Sequence, residues 1–484
     1  MKEIIIVGGG ISGLYAAYRL LRQSDVDGFD IMIIEKTTRL GGRVLTENHL
    51  GHILEYGPMR FEPDLQPNFA ALLEELDVGT KTFSPYTCPS SPPDYNKISF
   101  DEIEAISKYK TLPPAFALLK HALVKVLDEQ WDVLNDDIRA NGRDAKKCWL
   151  KKNGTFQGRL LANHGLWDTL AHVLSKEALD YLRQKGTFYH MLDINPNAAD
   201  QICFMLDILA TANSHLITIN GGTYTLIEKF VAFIKNNPRV KVKLGTEVSL
   251  YEELDDGRLK VYTSCSSDSY RDKIEYECDH LIFTCQQKAL QQIKGFPMNV
   301  KCALDSVMVV QLFKIFIILE NPPFTESSIP MPNFNADKIP CREIHYAYSK
   351  ETKTGMIMIY GDAPTINYWC SFLPHHPIEE PYNNDNIHLK NHLMHYMRCL
   401  FPSAKEPFSI VHYGMLDWSR EPYESGVHLW KPGYKSYDVI KTLKVFGENK
   451  NVHIGGETFS DYQGFIEGCL RTIDGVMESI VTMK

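Results

Sequence analysis

The run Ile4-Ile5-Ile6-Val7 is apolar at every position, the pattern of a strand buried on both faces. It ends in Gly8-Gly9-Gly10-Ile11-Ser12-Gly13, and Leu14 to Leu21 continue with helical spacing. A second apolar run, Ile31 to Ile34, stops at Glu35. Between residues 64 and 216 the apolar positions repeat at i, i+3 and i+4, as in Phe69-Leu72-Leu73 and Leu118-Leu119-Leu123-Val124, which predicts a mostly helical segment. Strand and helix patterns then return: Gly221-Gly222, a helix from Thr225 to Lys235, and strands at Val240–Lys243, Glu247–Tyr251 and His280–Thr284. Residues 287–449 mix strands (Val307 to Leu319, Met356 to Tyr360) with a helix at Asp385 to Cys399, and a last strand and helix fill 450–484.

Parallel strands need crossover connections, and long crossovers become domains of their own. The pattern therefore predicts an α/β protein. Its Rossmann-type nucleotide-binding domain is split into segments 1–63, 217–286 and 450–484. A helical insertion occupies 64–216, and an α+β domain occupies 287–449. The Pro- and Ser-rich stretch Pro85 to Asp94 reads as a surface loop.

The first turn carries chemistry. Gly8-x-Gly10-x-x-Gly13 after a strand and before a helix is the dinucleotide fingerprint. Gly8 permits the sharp turn, Gly10 lets backbone N–H groups approach a pyrophosphate, and Gly13 brings the helix close to the strand. Ile11 and Ser12 open that helix, whose N-terminus favours negative charge. Glu35, at the usual spacing of about 20 residues, suits the hydroxyls of an adenosine ribose.

Composition narrows the class. The 484 residues carry a formal net charge of −9 and no dense Lys/Arg cluster, which argues against a nucleic-acid-binding surface. No apolar stretch approaches ~18 residues, so no membrane-spanning helix is expected. The first strand begins near Glu3, so no signal peptide is expected. The 11 cysteines lack CxxC or metal-type spacing, consistent with reduced thiols, a cytoplasmic protein and no metal.

Arg39-Leu40-Gly41-Gly42-Arg43 follows Glu35, and the far end holds Gly455-Gly456-Glu457 and Gln463-Gly464-Phe465-Ile466-Glu467-Gly468. With the fingerprint, these segments resemble the flavin-containing amine oxidase family, over essentially the whole chain. The resemblance implies a glutathione-reductase-like fold with 287–449 as the α+β substrate domain, and FAD held by Gly8, Gly10, Ile11, Ser12, Gly13, Glu35, Lys36, Arg39, Gly42, Arg43, Val248, Gly456, Glu457, Gly464, Phe465 and Ile466. The flavin-linking cysteine of the family's monoamine oxidase subgroup falls where this chain has Val427, which implies non-covalent FAD. The resemblance also raises the expectation of a homodimer.

Leu54-Glu55-Tyr56-Gly57-Pro58-Met59-Arg60-Phe61 resembles the segment beneath the flavin, which places Gly57, Pro58, Met59 and Arg60 at the cofactor. Met-Arg here resembles the L-amino-acid oxidase branch, bacterial L-tryptophan oxidases included. A guanidinium meets a carboxylate with two charge-assisted hydrogen bonds. Arg60 is thus the expected carboxylate clamp, with Tyr360 as its hydroxyl partner and Tyr368 the runner-up. Trp369, Trp418 and Phe465 are expected pocket walls, Trp418 also touching the cofactor through its W-x-x-x-P-Y-x-x-G run. Lys314, a charge within an apolar strand, resembles the family lysine that assists reaction with oxygen.

The expected reaction is FAD-dependent oxidative deamination of an L-amino acid by oxygen, giving the imino acid, then the 2-oxo acid, ammonia and hydrogen peroxide. Alternatives are an amino-acid 2-monooxygenase, a polyamine or monoamine oxidase, and a non-catalytic FAD scaffold. Arg60 disfavours the amine oxidases, which need no such cation. His190 is a weak candidate base, and Asp193 and Asp362 are candidate contacts for a basic side chain. The side chain accepted is not legible.

Overall fold

The computed structural model describes residues 2–23, 28–83, 93–132, 147–185, 194–210, 216–265, 274–334, 339–362, 365–374, 379–383 and 386–481. His190, Asp193 and most of the Pro85–Asp94 stretch lie outside the described residues.

Three distant segments build one parallel sheet. Its strands lie in the order Val452–Ile454, His280–Phe283, Glu3–Val7, Asp30–Ile34 and Val240–Lys243, with Ile4 paired to both His280 and Ile31. Helices Ile11–Gln23, Tyr224–Lys235 and Ile466–Val481 share one apolar core with residues of this sheet. Edge-on contacts of Tyr15 and Tyr18 with Phe230 lock two of these helices together. Apolar residues of the other face pack with a three-stranded antiparallel sheet spanning Thr246 to Cys278. Burial on both faces accounts for the uninterrupted Ile4–Val7 run.

The second large sheet is antiparallel, in the order Asn333–Phe334, Glu343–Ser349, Thr354–Asp362, Leu312–Glu320 and Ser409–Asp417. One face packs with helices Thr365–Cys370 and Ile387–Leu400 through Phe313, Ile315, Trp369 and Leu393. The other places Lys314, Tyr360 and Leu416 in register on adjacent strands.

The insertion is mainly helical, with Pro114–Leu127 and Ala198–Ala210 in its core. One helix assigned to it by sequence packs elsewhere. Pro67–Glu75 sets Phe69, Leu72 and Leu73 into the core of the nucleotide-binding sheet, and Glu467 accepts the Phe69 N–H at 2.9 Å. Apolar spacing identifies a helix but not the core that receives it.

Candidate active site

One cavity of about 450 Å³ runs from the end of the parallel sheet to the face of the antiparallel sheet. Its first stretch is lined by Val7, Ile34, Glu35, Lys36 and Val248. Glu35 is buried; its carboxylate accepts from Gly9 N at 2.6 Å and from Thr37 N and Oγ1 at 2.8 Å. Lys36 pairs with Glu247 at 2.9 Å beside it.

The middle stretch is lined by Gly8, Gly10, Ile11, Ser12, Gly42, Arg43, Glu457 and Gly464. A Cβ built on Gly10 would meet nothing nearer than Gly42 Cα at 3.8 Å, so this backbone faces open space. A Cβ on Gly13 would stand 2.0 Å from Gly8 O, so Gly13 does not line the cavity and instead lets the helix close on the strand. Arg43 donates to Glu457 at 2.9 Å and to Gly426 O. Glu457 also accepts from Gly464 N at 2.8 Å and His428 N at 3.1 Å. Burial raises the Glu457 carboxyl, but Arg43 and His428 outweigh it and hold the group well below the usual range. Arg39 and Gly456 lie behind this wall. Arg39 holds Gly42 O at 2.5 Å and Tyr423 Oη at 2.8 Å, and Gly456 N donates to Thr472 Oγ1 at 2.8 Å.

These residues fit an adenine dinucleotide. The elongated space offers an acidic ribose partner at one end, exposed backbone and a helix N-terminus in the middle, and an arginine fixed by a buried carboxylate.

The last stretch is lined by Tyr56, Gly57, Pro58, Met59, Arg60, Lys314, Tyr360, Trp418, Tyr423, Phe465 and Ile466. Lys314 is buried, and its Nζ donates to Glu55 O at 2.8 Å and Gly57 O at 2.5 Å. That leaves one hydrogen or lone pair on Nζ beyond these carbonyls. Burial pulls its pKa down to about 7, partly offset by Glu55. Nζ lies 5.0 Å from the Tyr360 ring centre. Trp418 donates to Tyr56 O at 2.8 Å and meets Tyr423 edge-on at 4.8 Å. Phe465 packs near Phe204 and Tyr462, at 5.8 and 5.1 Å between ring centres.

Arg60 reaches the cavity wall, yet both terminal nitrogens meet Glu343, Nη1 to Oε2 and Nη2 to Oε1, each at 2.9 Å. Glu343 has 0% exposure, and His345 Nε2 stands 2.7 Å from its Oε2. Burial raises the Glu343 carboxyl; Arg60 and His345 prevail and hold it well below the usual range. Burial moves His345 the other way, below the ordinary histidine value.

Two expected pocket residues are elsewhere. Trp369 is fully buried in the core behind the antiparallel sheet and donates to Pro340 O. Tyr368 is 36% exposed and accepts from Tyr396 Oη at 3.0 Å. Both sit on a helix one turn past the Tyr360 strand, which turns them away from the cavity. Asp362 is also buried off the cavity, 3.8 Å from Arg342.

Sequence reading missed Glu343, His345, Phe204 and Tyr423. Tyr423 was within reach, lying inside the W-x-x-x-P-Y run. Glu343 had one signal, a carboxylate entering the strand pattern Glu343–Ser349, but no local pattern names its partner 283 positions away.

The fold and site define a flavin-dependent oxidoreductase, and the chain belongs to the flavin containing amine oxidoreductase family, which matches residues 11–472. Its cofactor is FAD. It is similar to an uncharacterized protein, R188, of Acanthamoeba polyphaga mimivirus, 22% identical over 98% of this chain and 93% of that one. It is also similar to an L-amino acid oxidase of Cerastes cerastes, 21% identical over 97% and 85%. A putrescine oxidase bound to putrescine superposes with a TM-score of 0.68 at 17% identity, covering 99% of each chain, which establishes the fold. Among the described residues no helix is long and apolar enough to cross a membrane.

Proposed function

We propose that this chain oxidises a primary amine lacking an α-carboxylate, with dioxygen as acceptor, to the imine; water converts the imine to an aldehyde and ammonia. The observation that carries the reading is the two-point pairing of Arg60 with buried Glu343. As a unit the pair is neutral. A substrate carboxylate entering beside it would lose its hydration without gaining a net cation, or would displace Glu343 and leave that charge buried and unpaired. A neutral amine meets no such cost. The solved structure of putrescine oxidase with putrescine shows an amine without a carboxylate accommodated by this fold.

FAD, when bound, would supply the two-electron chemistry that couples oxidation of the amine to the imine with reduction of dioxygen to hydrogen peroxide. The protein's part is orientation and electrostatics. Trp418, Tyr423 and Phe465 form aromatic walls for the amine. Lys314, held by two carbonyls, offers a proton or a positive charge where oxygen is reduced. Val427 lines the cavity where the monoamine oxidase subgroup has its linking cysteine, and a valine offers no thiol to a flavin, which supports non-covalent FAD.

The second reading is oxidation of an L-amino acid. It is favoured by Arg60 and Tyr360 lining one cavity and by the likeness to the Cerastes cerastes enzyme over most of both chains. Peroxide and ammonia release from matched pairs, each amino acid against its decarboxylated amine, separates the two. Turnover of the amine supports the proposal, and turnover of only the amino acid overturns it.

A further inference from the structure

We infer that Glu343 is a specificity-determining residue: by holding the Arg60 guanidinium in a neutral pair, it excludes α-carboxylates from the amine site. The inference deepens the proposed function and rests on it.

The geometry is built for the purpose. Glu343 sits on the strand Glu343–Ser349, directly opposite Tyr360, which is itself opposite Lys314. The three positions form one row across the sheet. Arg60 comes from outside that sheet and lays its fork end-on against the carboxylate. Paired in this way, the arginine lines the cavity without contributing net charge to it. His345, on the same strand face, braces the carboxylate from behind and leaves it little freedom to swing away.

Removing the charge of Glu343 while keeping its shape turns Arg60 into a net cation at the cavity wall. The test uses the FAD-loaded enzyme and benzoate, a carboxylate without an amine, followed by calorimetry and by perturbation of the flavin spectrum. Glu343→Gln should bind benzoate on the order of tenfold more tightly than wild type, the scale of one charge-assisted contact. Anaerobic flavin reduction by an L-amino acid should rise by a similar factor relative to the matching amine. A second variant, Arg60→Gln with Glu343→Gln, removes both charges; it should lose the gain. Equal benzoate affinity in wild type and Glu343→Gln, or a gain that survives in the double variant, overturns the inference. Failure of the functional reading shows separately in wild type, as flavin reduced by amino acids and by no amine.

Discussion

Arg43 and Glu457, 414 positions apart, meet at 2.9 Å across the middle of the cofactor cavity. One belongs to the turn after the second strand of the parallel sheet, the other to the turn after its edge strand Val452–Ile454. Their contact joins the two ends of the chain where FAD belongs. Glu457→Gln should therefore weaken FAD retention, by roughly tenfold or more given one lost buried charge pair. Titration of apoprotein with FAD, read by flavin fluorescence, checks this; unchanged affinity would remove the pair from the cofactor site.

The same carboxyl gives stability an acid limit. Glu343 and Glu457 titrate below the ordinary glutamate value of 4.5 in the folded protein. The unfolded chain thus binds more protons as pH falls, and their stabilisation, present above about pH 4.5, is lost below it. Melting temperature should drop steeply below that pH, and less steeply in Glu457→Gln measured with saturating FAD.

Lys314 has the opposite sign. Its folded pKa, near 7, lies below the ordinary lysine value of 10.5, so the charged form is the one burial penalises. The ammonium is present below pH 7 and lost above it. The rate of flavin reoxidation by oxygen should fall as pH rises through about 7. Lys314→Met should slow reoxidation on the order of tenfold to a hundredfold and flatten that profile, leaving anaerobic reduction much less affected. Stopped-flow absorbance separates the two half-reactions, and a profile identical in both proteins would remove Lys314 from the oxygen step.

Trp369 and Phe465 look alike in sequence but sit in different places. Trp369→Ala should cost about 3–5 kcal/mol of stability as a core truncation and leave substrate preference unchanged. Phe465→Ala lines the cavity and should raise the amine KM with little loss of stability. Denaturant unfolding with steady-state kinetics on both variants distinguishes them.

Legibility in the sequence followed the range of the interaction. The strand Glu3–Val7, its glycine turn and Glu35 are local patterns, and the structure lines the first and middle stretches of the cavity with Val7, Gly8, Gly10 and Glu35. Lys314 announced itself as a charge in an apolar strand. Trp369 misled because an aromatic near Tyr360 gives no sign of which face of the sheet it will occupy. Pro67–Glu75 misled because apolar spacing does not name the core a helix joins. Glu343 carried the most information about substrate and the least local signal, since its meaning depends on Arg60 folding against it.

The most direct test is anaerobic absorbance near 450 nm as the FAD-loaded protein is titrated with single amines and their parent L-amino acids. We predict bleaching by an amine and none by the amino acid that differs from it only by the α-carboxylate. Bleaching by the amino acid alone would contradict the account and restore Arg60 as a carboxylate clamp.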